Sequence, residues 1–489
     1  MEGGRIMRHP LTRREAVKSM TGAAIWASMP GRAAMIPAGR RFEPKISVKV
    51  PPPGPRSLAL LERTKKALGR TNYAGLYSIC LATGDGVHVQ DLDGNVYLDC
   101  LAAASSNILG YGRDEVARAY YDEASRMQHT CLVYSANEPC VRLAESLNRL
   151  MPAEVARKTI LSLTGSDSNE GAIEAARKYT GRSGIISFRQ GYHGSTGLSQ
   201  AASGYPALNS GIYPSEDPDF IKVDFPRTAE DGDRVLRNVE SVLAFGKVGA
   251  VLVECLQGDA GNILPAEGFF PRLKQILDTY GVLLICDEVQ SGMGRTGRWW
   301  SYMHEGIVPD MMVTAKGLSA GYAPVSALTG RAEVLDALEP VQHVFTYSGH
   351  PPSAAVACKT IEIIERDGLV ANARTVGDTL LAGLRDLAAK YPDVVVEARG
   401  RGLQIGVEID ISKNRYAGKI FAYRCVEKGL YPGYFGDKQR VIRVHPPLTL
   451  SAAEAQIIIG TCHEVADEMH RGLIPAQTEE KVRKYAGGW

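Results

Sequence analysis

Residues 283–300 read LLICDEVQSGMGRTGRWW, and the first half of this stretch decides the fold. Leu283 to Cys286 are apolar without interruption, which is typical of a strand buried on both faces. The strand runs directly into two acids, Asp287 and Glu288. An ionised carboxylate is costly to bury unless a cation or strong hydrogen-bond donors meet it. We therefore expect a specific partner for Asp287.

Similar β-rich runs alternate with helical patterns through the middle of the chain. The further runs are KTILSLTG (158–165), GIISFRQG (184–191), VGAVLVECLQG (248–258) and DMMVTAKG (310–317). One helix is predicted from about Ser168 to Tyr179, with Tyr179 on its apolar face, and another over residues 268–281, ended by Gly281. This alternation predicts an α/β fold with a largely parallel sheet covered on both sides, whose ligands lie beyond the carboxyl ends of the strands.

The domain organisation follows from changes in this pattern. From about residue 345 the pattern becomes that of a smaller α+β domain: an apolar helical run, a helix over 374–391, β-rich runs and a last helix. We predict a leader over 1–40, an N-terminal arm and part of the small domain over 41–100, a large domain over 101–344 and a C-terminal small domain over 345–489. The segment 58–150 is expected to join the small domain in space.

Composition excludes several classes of protein. The net charge of +2 comes from 56 basic and 54 acidic residues spread along 489 positions, so no nucleic-acid partner is expected. The nine cysteines stand singly, as small core residues do. No apolar run reaches the roughly 18 residues of a spanning helix, so no membrane partner is expected.

The N-terminus resembles a twin-arginine export signal. Arg13, Arg14 and Lys18 precede a weakly apolar stretch from Met20 to Met29. The pattern departs from such signals at Ala16, where a bulky apolar residue is usual. The prediction is export to the periplasm, and the alternative is a basic surface helix of a cytoplasmic protein.

Lys316 follows another buried strand, in VTAKGLSAG (313–321). A lone lysine at a strand end is usually only solvated, but the small residues around this one let a flat ligand approach closely. A lysine in a partly dry pocket can lose its proton and form a Schiff base with an aldehyde. Together with an acid that keeps a pyridine nitrogen protonated, it predicts pyridoxal 5'-phosphate as cofactor, bound by Lys316 and Asp287. Val289 would lie against the ring, and Gln290 near its phenolic oxygen.

Two further stretches fit this cofactor. Gly165 and Ser166 stand at a strand-to-helix turn, where free backbone N–H groups favour a phosphate, although Gly-Ser-Asp is equally a plain helix N-cap. Tyr192, in GYHGST (191–196), is placed to stack on the ring, although a core tyrosine would read the same way.

Taken together, these stretches resemble the class III aminotransferase family of fold type I pyridoxal phosphate enzymes, over roughly residues 60–470. The matching stretches are TGSDSNEGAIEAARKYTGR, GYHGST, ICDEVQSGMGRTG, TAKGLSAG, FTYSGHP and RVHPPLTLS. The resemblance implies fold type I, with a large domain on a mainly parallel seven-stranded sheet and a smaller α+β domain. No metal is expected in the site.

The resemblance also implies residue roles. The family's cofactor-binding positions match Gly165, Ser166, Tyr192, His193, Asp287, Val289, Gln290 and Lys316. The threonine matching Thr346 reaches the phosphate from the neighbouring subunit, which implies a homodimer, or a tetramer of such dimers, with shared active sites. In the family, an arginine that matches Arg399 commonly binds the substrate carboxylate. The neighbouring Arg401 is the alternative match.

Asp259, in LVECLQGDAGNI (252–263), bears on the reaction. Many transaminases of the family carry Glu here, whereas the isoleucine 2-epimerase and amino-acid racemase subgroup carries an aspartate with an attributed part in proton exchange. The resemblance to isoleucine 2-epimerase extends to residues 101–112, 192–204 and 487–489. The shorter side chain could release an arginine otherwise paired with it, or aim the acid at Cα; a structural acid is the alternative.

The sequence thus predicts a racemase or epimerase of apolar or broad-range α-amino acids, in which Lys316 serves one face of Cα and Asp259 the other. The alternative is an aminotransferase that passes an amino group to a 2-oxo acid. For the substrate wall, Tyr77 is predicted, with Cys80, Ser105 and Ser106 as further candidates.

Overall fold

A computed structural model describes residues 42–72, 75–205 and 218–486. The leader predicted over 1–40 and the closing residues 487–489 lie outside these ranges. Residues from Glu43 onward form one compact unit. The predicted domain boundaries within that unit stay a prediction.

The strands and helices of the described residues are as follows. The strands are β1 (Leu81–Asp85), β2 (His88–Asp91), β3 (Val96–Asp99), β4 (Arg157–Ser162), β5 (Gly184–Phe188), β6 (Phe220–Val223), β7 (Val248–Val253), β8 (Leu283–Asp287), β9 (Met311–Thr314), β10 (Ser326–Arg331), β11 (Val395–Arg401), β12 (Gln404–Ile409), β13 (Leu430–Tyr431), β14 (Gly433–Phe435) and β15 (Val441–Val444). The helices are α1 (Pro55–Ala67), α2 (Asp114–Arg126), α3 (Glu138–Arg149), α4 (Gly165–Thr180), α5 (Gly197–Ala202), α6 (Ala229–Leu243), α7 (Phe269–Tyr280), α8 (Ala332–Leu335), α9 (Pro351–Arg366), α10 (Leu369–Lys390), α11 (Ala417–Glu427), α12 (Ala452–His470) and α13 (Ala476–Tyr485).

The central sheet has seven strands in the order β4-β10-β9-β8-β7-β5-β6. Strand β10 runs antiparallel to both of its neighbours, and the pairs β9-β8, β8-β7, β7-β5 and β5-β6 are parallel. This confirms the mainly parallel seven-stranded sheet. Because β4, β7, β8 and β9 point the same way, their carboxyl ends meet at one edge.

Strand β8 is buried on both faces, as its apolar run predicts. Leu284 and Cys286 belong to the larger of two hydrophobic cores, whereas Leu283 and Ile285 belong to the smaller one on the opposite side. Alternate side chains of a strand point to opposite faces, so the sheet separates the two cores. Asp287 ends this strand at the edge of the sheet.

The N-terminal and C-terminal parts of the unit are joined by a second sheet, of order β1-β2-β3-β13. Strand β13 pairs in parallel with β3, and α9 packs against both α2 and α3. The segment 58–150 therefore contacts the C-terminal part, as predicted. A third, antiparallel sheet of order β11-β12-β15-β14 completes the C-terminal region.

Some predicted helix positions were wrong. α4 begins at Gly165 rather than at Ser168, because the Thr164 side chain caps the N-H of Asp167 there. Tyr179 was predicted on one face with Ala172, Ile173 and Ala176. Those three are buried, but Tyr179 is 41% exposed, since it lies in the last turn next to solvent.

Of the other helix predictions, one end is confirmed and two regions differ from what was expected. α7 ends at the left-handed Gly281, as predicted. The helix predicted over 374–391 begins earlier, at Leu369, and two helices, α12 and α13, stand where one was expected. Within the described residues, no helix is both long enough and apolar enough to cross a bilayer.

Candidate active site

A cavity of about 520 Å³ lies at the edge where the carboxyl ends of the parallel strands meet. Its lining brings together nine residues that were predicted from separate stretches of sequence. They are Gly165, Ser166, Tyr192, His193, Asp259, Asp287, Val289, Gln290 and Lys316. Small residues from 323–325, just before β10, complete part of the wall.

Asp287 is buried and surrounded by hydrogen-bond donors. Its Oδ2 accepts from Asn169 Nδ2 at 2.8 Å and lies 2.9 Å from His193 Nδ1. Its Oδ1 accepts from the backbone N–H of Val289 at 3.0 Å. These contacts orient the carboxylate and lower the cost of burying it, since hydrogen bonds to a charged group are strong. The partners expected for this acid are thus partly supplied by the protein itself.

The start of α4 forms one end of the cavity. Gly165 and Ser166 are its first two residues, so free backbone N–H groups and the positive end of the helix dipole lie there. The Ser166 hydroxyl accepts a hydrogen bond from the backbone N–H of Ser195 at 3.2 Å. A Cβ at Gly165 would lie 2.9 Å from a methyl group of Val289, so only glycine allows this close approach. This end of the cavity can bind an anion.

Lys316 follows β9 and begins a short 3-10 turn, Lys316–Ser319. Its φ of 40° is left-handed, which is uncommon for a residue with a Cβ. Burial lowers the pKa of the Lys316 amine below its ordinary value, and Arg443 lowers it further, while Asp259 and Asp287 oppose this change. The amine is therefore easier to deprotonate than a surface lysine.

Asp259 is held by a cation and an amide. Its Oδ1 accepts hydrogen bonds from Arg443 Nη2 at 2.5 Å and from Gln290 Nε2 at 3.3 Å. The Arg443 guanidinium also stacks on the ring of Phe435, with 3.6 Å between its Cζ and the ring centroid. Burial opposes ionisation of Asp259, but Arg443 and Lys316 prevail and leave its pKa below the ordinary value. The sequence left open whether the shorter side chain of Asp259 would release an arginine. In this structure Arg443 is paired with Asp259.

Glu254 lines the cavity and was not identified from the sequence. Its carboxylate accepts from the backbone N–H groups of Tyr192 and Gly258, both at 2.9 Å. Burial, and the nearby charge of Asp287, raise its pKa to about 8. The signal that identified Asp287, an acid at the end of a buried strand, applies equally to Glu254. Asn169 and Arg443 were also missed, although both stand in the quoted stretches.

Three predicted residues lie outside the lining of this cavity. Arg399, in β11, is buried between Glu408, at 2.5 Å, and Glu397, and it also donates to the carbonyl of Gly261. Tyr77 is buried with its hydroxyl donating to the carbonyl of Pro432 at 2.8 Å. Thr346 is exposed. The structure of the single chain therefore brings none of these three into the cavity.

The further candidates for the substrate wall differ in whether they line the cavity. Ser106 lines the cavity. Ser105 is buried behind it, and the Cys80 thiol contacts the carbonyl of Ser57. The residues on either side of Ser106 in the lining are Ala103 and Asn107.

These residues fit pyridoxal phosphate. The cavity presents an anion-binding helix start, a buried acid oriented by three donors, an amine with a lowered pKa and the half-buried ring of Tyr192. They match the phosphate, the pyridine nitrogen, the aldehyde and the ring face of the cofactor, respectively. Across the described ranges, no group of three or more His, Cys, Asp or Glu side chains is arranged to hold a metal.

Comparison with known sequences identifies relatives along most of the chain. The family model "Aminotransferase class-III" matches residues 71–465. An alanine/serine racemase of Pyrococcus horikoshii is 33% identical over 90% of this chain and 95% of its own, and a leucine/methionine racemase of Thermococcus litoralis is 31% identical over 89% and 100%. A 5-aminovalerate aminotransferase of Pseudomonas putida is 32% identical over 81% and 95%.

Solved structures agree with these relatives. A transaminase from the marine bacterium Virgibacillus matches with a TM-score of 0.79 and 27% identity, over 85% of this chain and 100% of its own. An amine transaminase from an uncultivated Pseudomonas species, solved in its PLP-bound form, matches with a TM-score of 0.73 and 28% identity, over 79% and 94%. Together with the cavity, these similarities show that the chain belongs to the class III aminotransferase family of pyridoxal-phosphate-dependent enzymes.

Proposed function

We propose that this chain is an amino-acid racemase or epimerase that inverts Cα of apolar, or a broad range of, α-amino acids. The observation that carries the proposal is that two groups able to move a proton, the Lys316 amine and the Asp259 carboxylate, line one cavity. Inversion of Cα requires removal of a proton from one face and its return to the other. Two of the relatives described above are racemases of small or apolar amino acids, which supports the same reading.

Pyridoxal phosphate, when bound, supplies an electron sink that makes the Cα proton of an amino acid acidic. Asp287, oriented by Asn169 and Val289, would hold a proton on the ring nitrogen of the bound cofactor. Lys316 would hold the cofactor through its aldehyde in the free site, and its amine, whose pKa burial lowers, would accept the Cα proton on one face. Asp259 would give a proton to the other face.

The pair of Asp259 and Arg443 sets the protonation of the second group. In the free site Arg443 keeps the Asp259 carboxylate ionised. Arg443 is buried behind Asp259 and is not itself part of the cavity lining, so a substrate carboxylate that reached it would have to compete with Asp259 for this guanidinium. The pKa of Asp259 would then rise, because burial favours the neutral acid once the cation is shared. Asp259 would then take up a proton from solvent and could give it to Cα, while Lys316 holds the proton removed from the other face.

Transamination is the second candidate. It is favoured by the 5-aminovalerate aminotransferase, whose identity to this chain is close to that of the racemases, and by structural neighbours that are transaminases. In this reaction Lys316 alone would move the proton, from Cα to the cofactor on one face, and Asp259 would only hold Arg443.

Incubation in deuterated water with a single L-amino acid and no 2-oxo acid separates the two reactions. A racemase converts the substrate steadily to the opposite configuration and introduces deuterium at Cα, which chiral chromatography with mass spectrometry detects. A transaminase stops once each site has consumed one amino acid. That stop, with no inverted product, would refute the racemase proposal. A screen of common amino acids under the same conditions identifies the preferred side chain.

We also propose a homodimer whose subunits share their active sites. Three tyrosines of the regions 120–134 and 341–350 are strongly exposed in one subunit: Tyr121 (69%), Tyr134 (86%) and Tyr347 (57%). Such side chains are typical of subunit interfaces. Thr346, next to Tyr347, is exposed and in such a dimer would reach the anion-binding helix start of the partner. Sedimentation of Tyr134→Asp and Tyr347→Asp should show a shift toward monomer, and an unchanged sedimentation coefficient would contradict the proposal.

Export through the twin-arginine route remains a proposal as well. It rests on Arg13, Arg14 and Lys18, which lie outside the described residues. Cell fractionation of the full chain, compared with an Arg13→Lys, Arg14→Lys double variant, tests it. Equal distribution of the two proteins between fractions would contradict export by this route.

A further inference from the structure

His445 lies behind the cavity in a fully buried position, two residues after Arg443. Its ring joins two segments that are far apart in sequence. Nδ1 lies 2.9 Å from the Ser105 hydroxyl, and Nε2 lies 3.0 Å from Oδ1 of Asn262. Its backbone N–H donates to the carbonyl of Cys100 at 2.7 Å. All three ring and backbone nitrogens of this residue therefore have partners.

Both partners of the ring belong to left-handed backbone. The turn Ala102–Ser105 has φ values of 47°, 47°, 57° and 72°, and Asn262 has a φ of 56°. Left-handed conformations are disfavoured for residues with a Cβ, and a run of four is rare. Such a turn persists only where surrounding contacts fix it. The His445 ring is one of these contacts for each segment.

The two segments serve the cavity from different sides. Residues Ala103, Ser106 and Asn107, within or just after the left-handed turn, line the cavity that holds Lys316. Asn262 follows Asp259 by three residues, and the backbone N–H groups of Gly261 and Asn262 both donate to the carbonyl of Gly258. One segment is thus a wall of the cavity, and the other carries its second acid.

A neutral imidazole matches these partners. It has one N–H and one free lone pair. Because the side-chain oxygen Oδ1 of Asn262 can only accept, we assign the proton to Nε2, which leaves Nδ1 to accept from the Ser105 hydroxyl. Burial holds the pKa of His445 well below its ordinary value, and the cations Arg443, Arg295 and Lys316 act in the same direction. The ring therefore keeps a single donor and a single acceptor.

We propose that His445 is a positioning residue that fixes the Ala102–Ser105 turn and the Asp259 loop against the cavity, and so determines which amino-acid side chain the wall accepts. The part that concerns the amino-acid substrate rests on the proposed function. The placement of the two segments does not.

Two conservative variants separate the two contacts. An asparagine amide takes approximately the position of Nδ1, and a glutamine amide that of Nε2. His445→Asn should therefore keep the contact to Ser105 and lose that to Asn262, and His445→Gln should do the reverse. His445→Phe fills the space but removes both contacts. His88→Asn, at a buried histidine of β2 that does not line the cavity, is the matched control.

The first measurement is hydrogen–deuterium exchange of the full chain loaded with pyridoxal phosphate. We expect exchange over 101–108 to become about tenfold faster in His445→Gln, and exchange over 258–263 in His445→Asn. His445→Phe should accelerate both. Equal patterns in the Asn and Gln variants, or wild-type exchange in both, would overturn the proposal. If the Phe variant fails to fold, the Asn and Gln variants still decide.

The second measurement is steady-state kinetics with small and large amino acids. We expect His445→Gln to raise KM, and to reduce the discrimination between small and large side chains, more than it lowers kcat. A variant that only lost stability would lower the amount of active enzyme without changing this discrimination. Hydrogen exchange requires no substrate, so the exchange prediction can prove wrong while the racemase proposal stands. Equally, the racemase proposal can be refuted while the exchange prediction is confirmed.

Discussion

The guanidinium of Arg443 donates to the carboxylate of Asp259 across 2.5 Å in the free site. This pair connects the group that would recognise the substrate carboxylate with the group that would exchange a proton at Cα. A substrate carboxylate that bound the arginine would therefore change the electrostatic environment of the acid.

Replacing Asp259 should separate the two reactions. Asp259→Asn keeps the size of the side chain but removes its ability to exchange a proton. We expect it to lower racemisation by about 10²-fold or more, and the single-turnover loss of the Cα proton of an L-amino acid much less. Chiral chromatography and stopped-flow absorbance measure the two rates. Equal losses would indicate that Asp259 acts only by holding Arg443.

Lys316→Ala should remove the absorbance of lysine-bound pyridoxal phosphate together with all turnover. The reason is that a methyl group can neither bond to the aldehyde nor accept a proton. Absorbance spectra and activity of the purified protein test this. Lys158→Ala, at an exposed lysine paired with Asp336, is the control and should leave both unchanged. Surviving turnover in the Lys316 variant would refute its assignment.

Asp287→Asn should retain bound cofactor but lose about 10²-fold or more in turnover, since a neutral amide does not hold a proton on the ring nitrogen. The amide can still accept a hydrogen bond from Asn169, so the local fold should persist. Cofactor content by absorbance and kcat are the two measurements. Asp336→Asn is the surface control. Wild-type kcat in the Asp287 variant would contradict the role given to this acid.

The raised pKa of Glu254 predicts a pH dependence of stability. Its folded-state pKa of about 8 lies above the ordinary value of 4.5, so the folded protein binds the extra proton between these values. The stabilisation is complete below pH 4.5 and is lost as pH rises through about 8. In Glu254→Gln, the free energy of unfolding from denaturant titrations should fall less between pH 5 and 8. Parallel curves for the two proteins would show that this carboxyl is not perturbed.

The sequence predicts much of the site because its signals are local. A buried strand that ends on an acid, a lysine after a second strand, and a glycine-serine turn before a helix each identified residues that line one cavity. Strand direction then suffices to bring them together, since the ends of parallel strands share an edge. The signal of an acid at the end of a buried strand would also have identified Glu254.

Charge pairing over long distances could not be predicted in this way. Arg399 and Arg443 are both arginines in strands of the third sheet. Arg399 contacts Glu408 across the β11-β12 pairing, whereas Arg443 contacts Asp259. Which arginine reaches Asp259, an acid of the cavity lining, depends on the register of strands that no local pattern fixes. The left-handed turn at Ala102–Ser105 is equally hidden, since none of its residues is glycine.

Strand β10 has a consequence for the dimensions of the enzyme. It separates β4, which leads to the phosphate end, from β9, which leads to Lys316. Neighbouring strands lie about 4.8 Å apart, so this inserted strand sets β4 and β9 roughly 10 Å apart. The helix start that can bind an anion and the lysine thus follow strands that are joined only through β10. Loosening β10 would therefore move these two groups relative to each other without changing either of them.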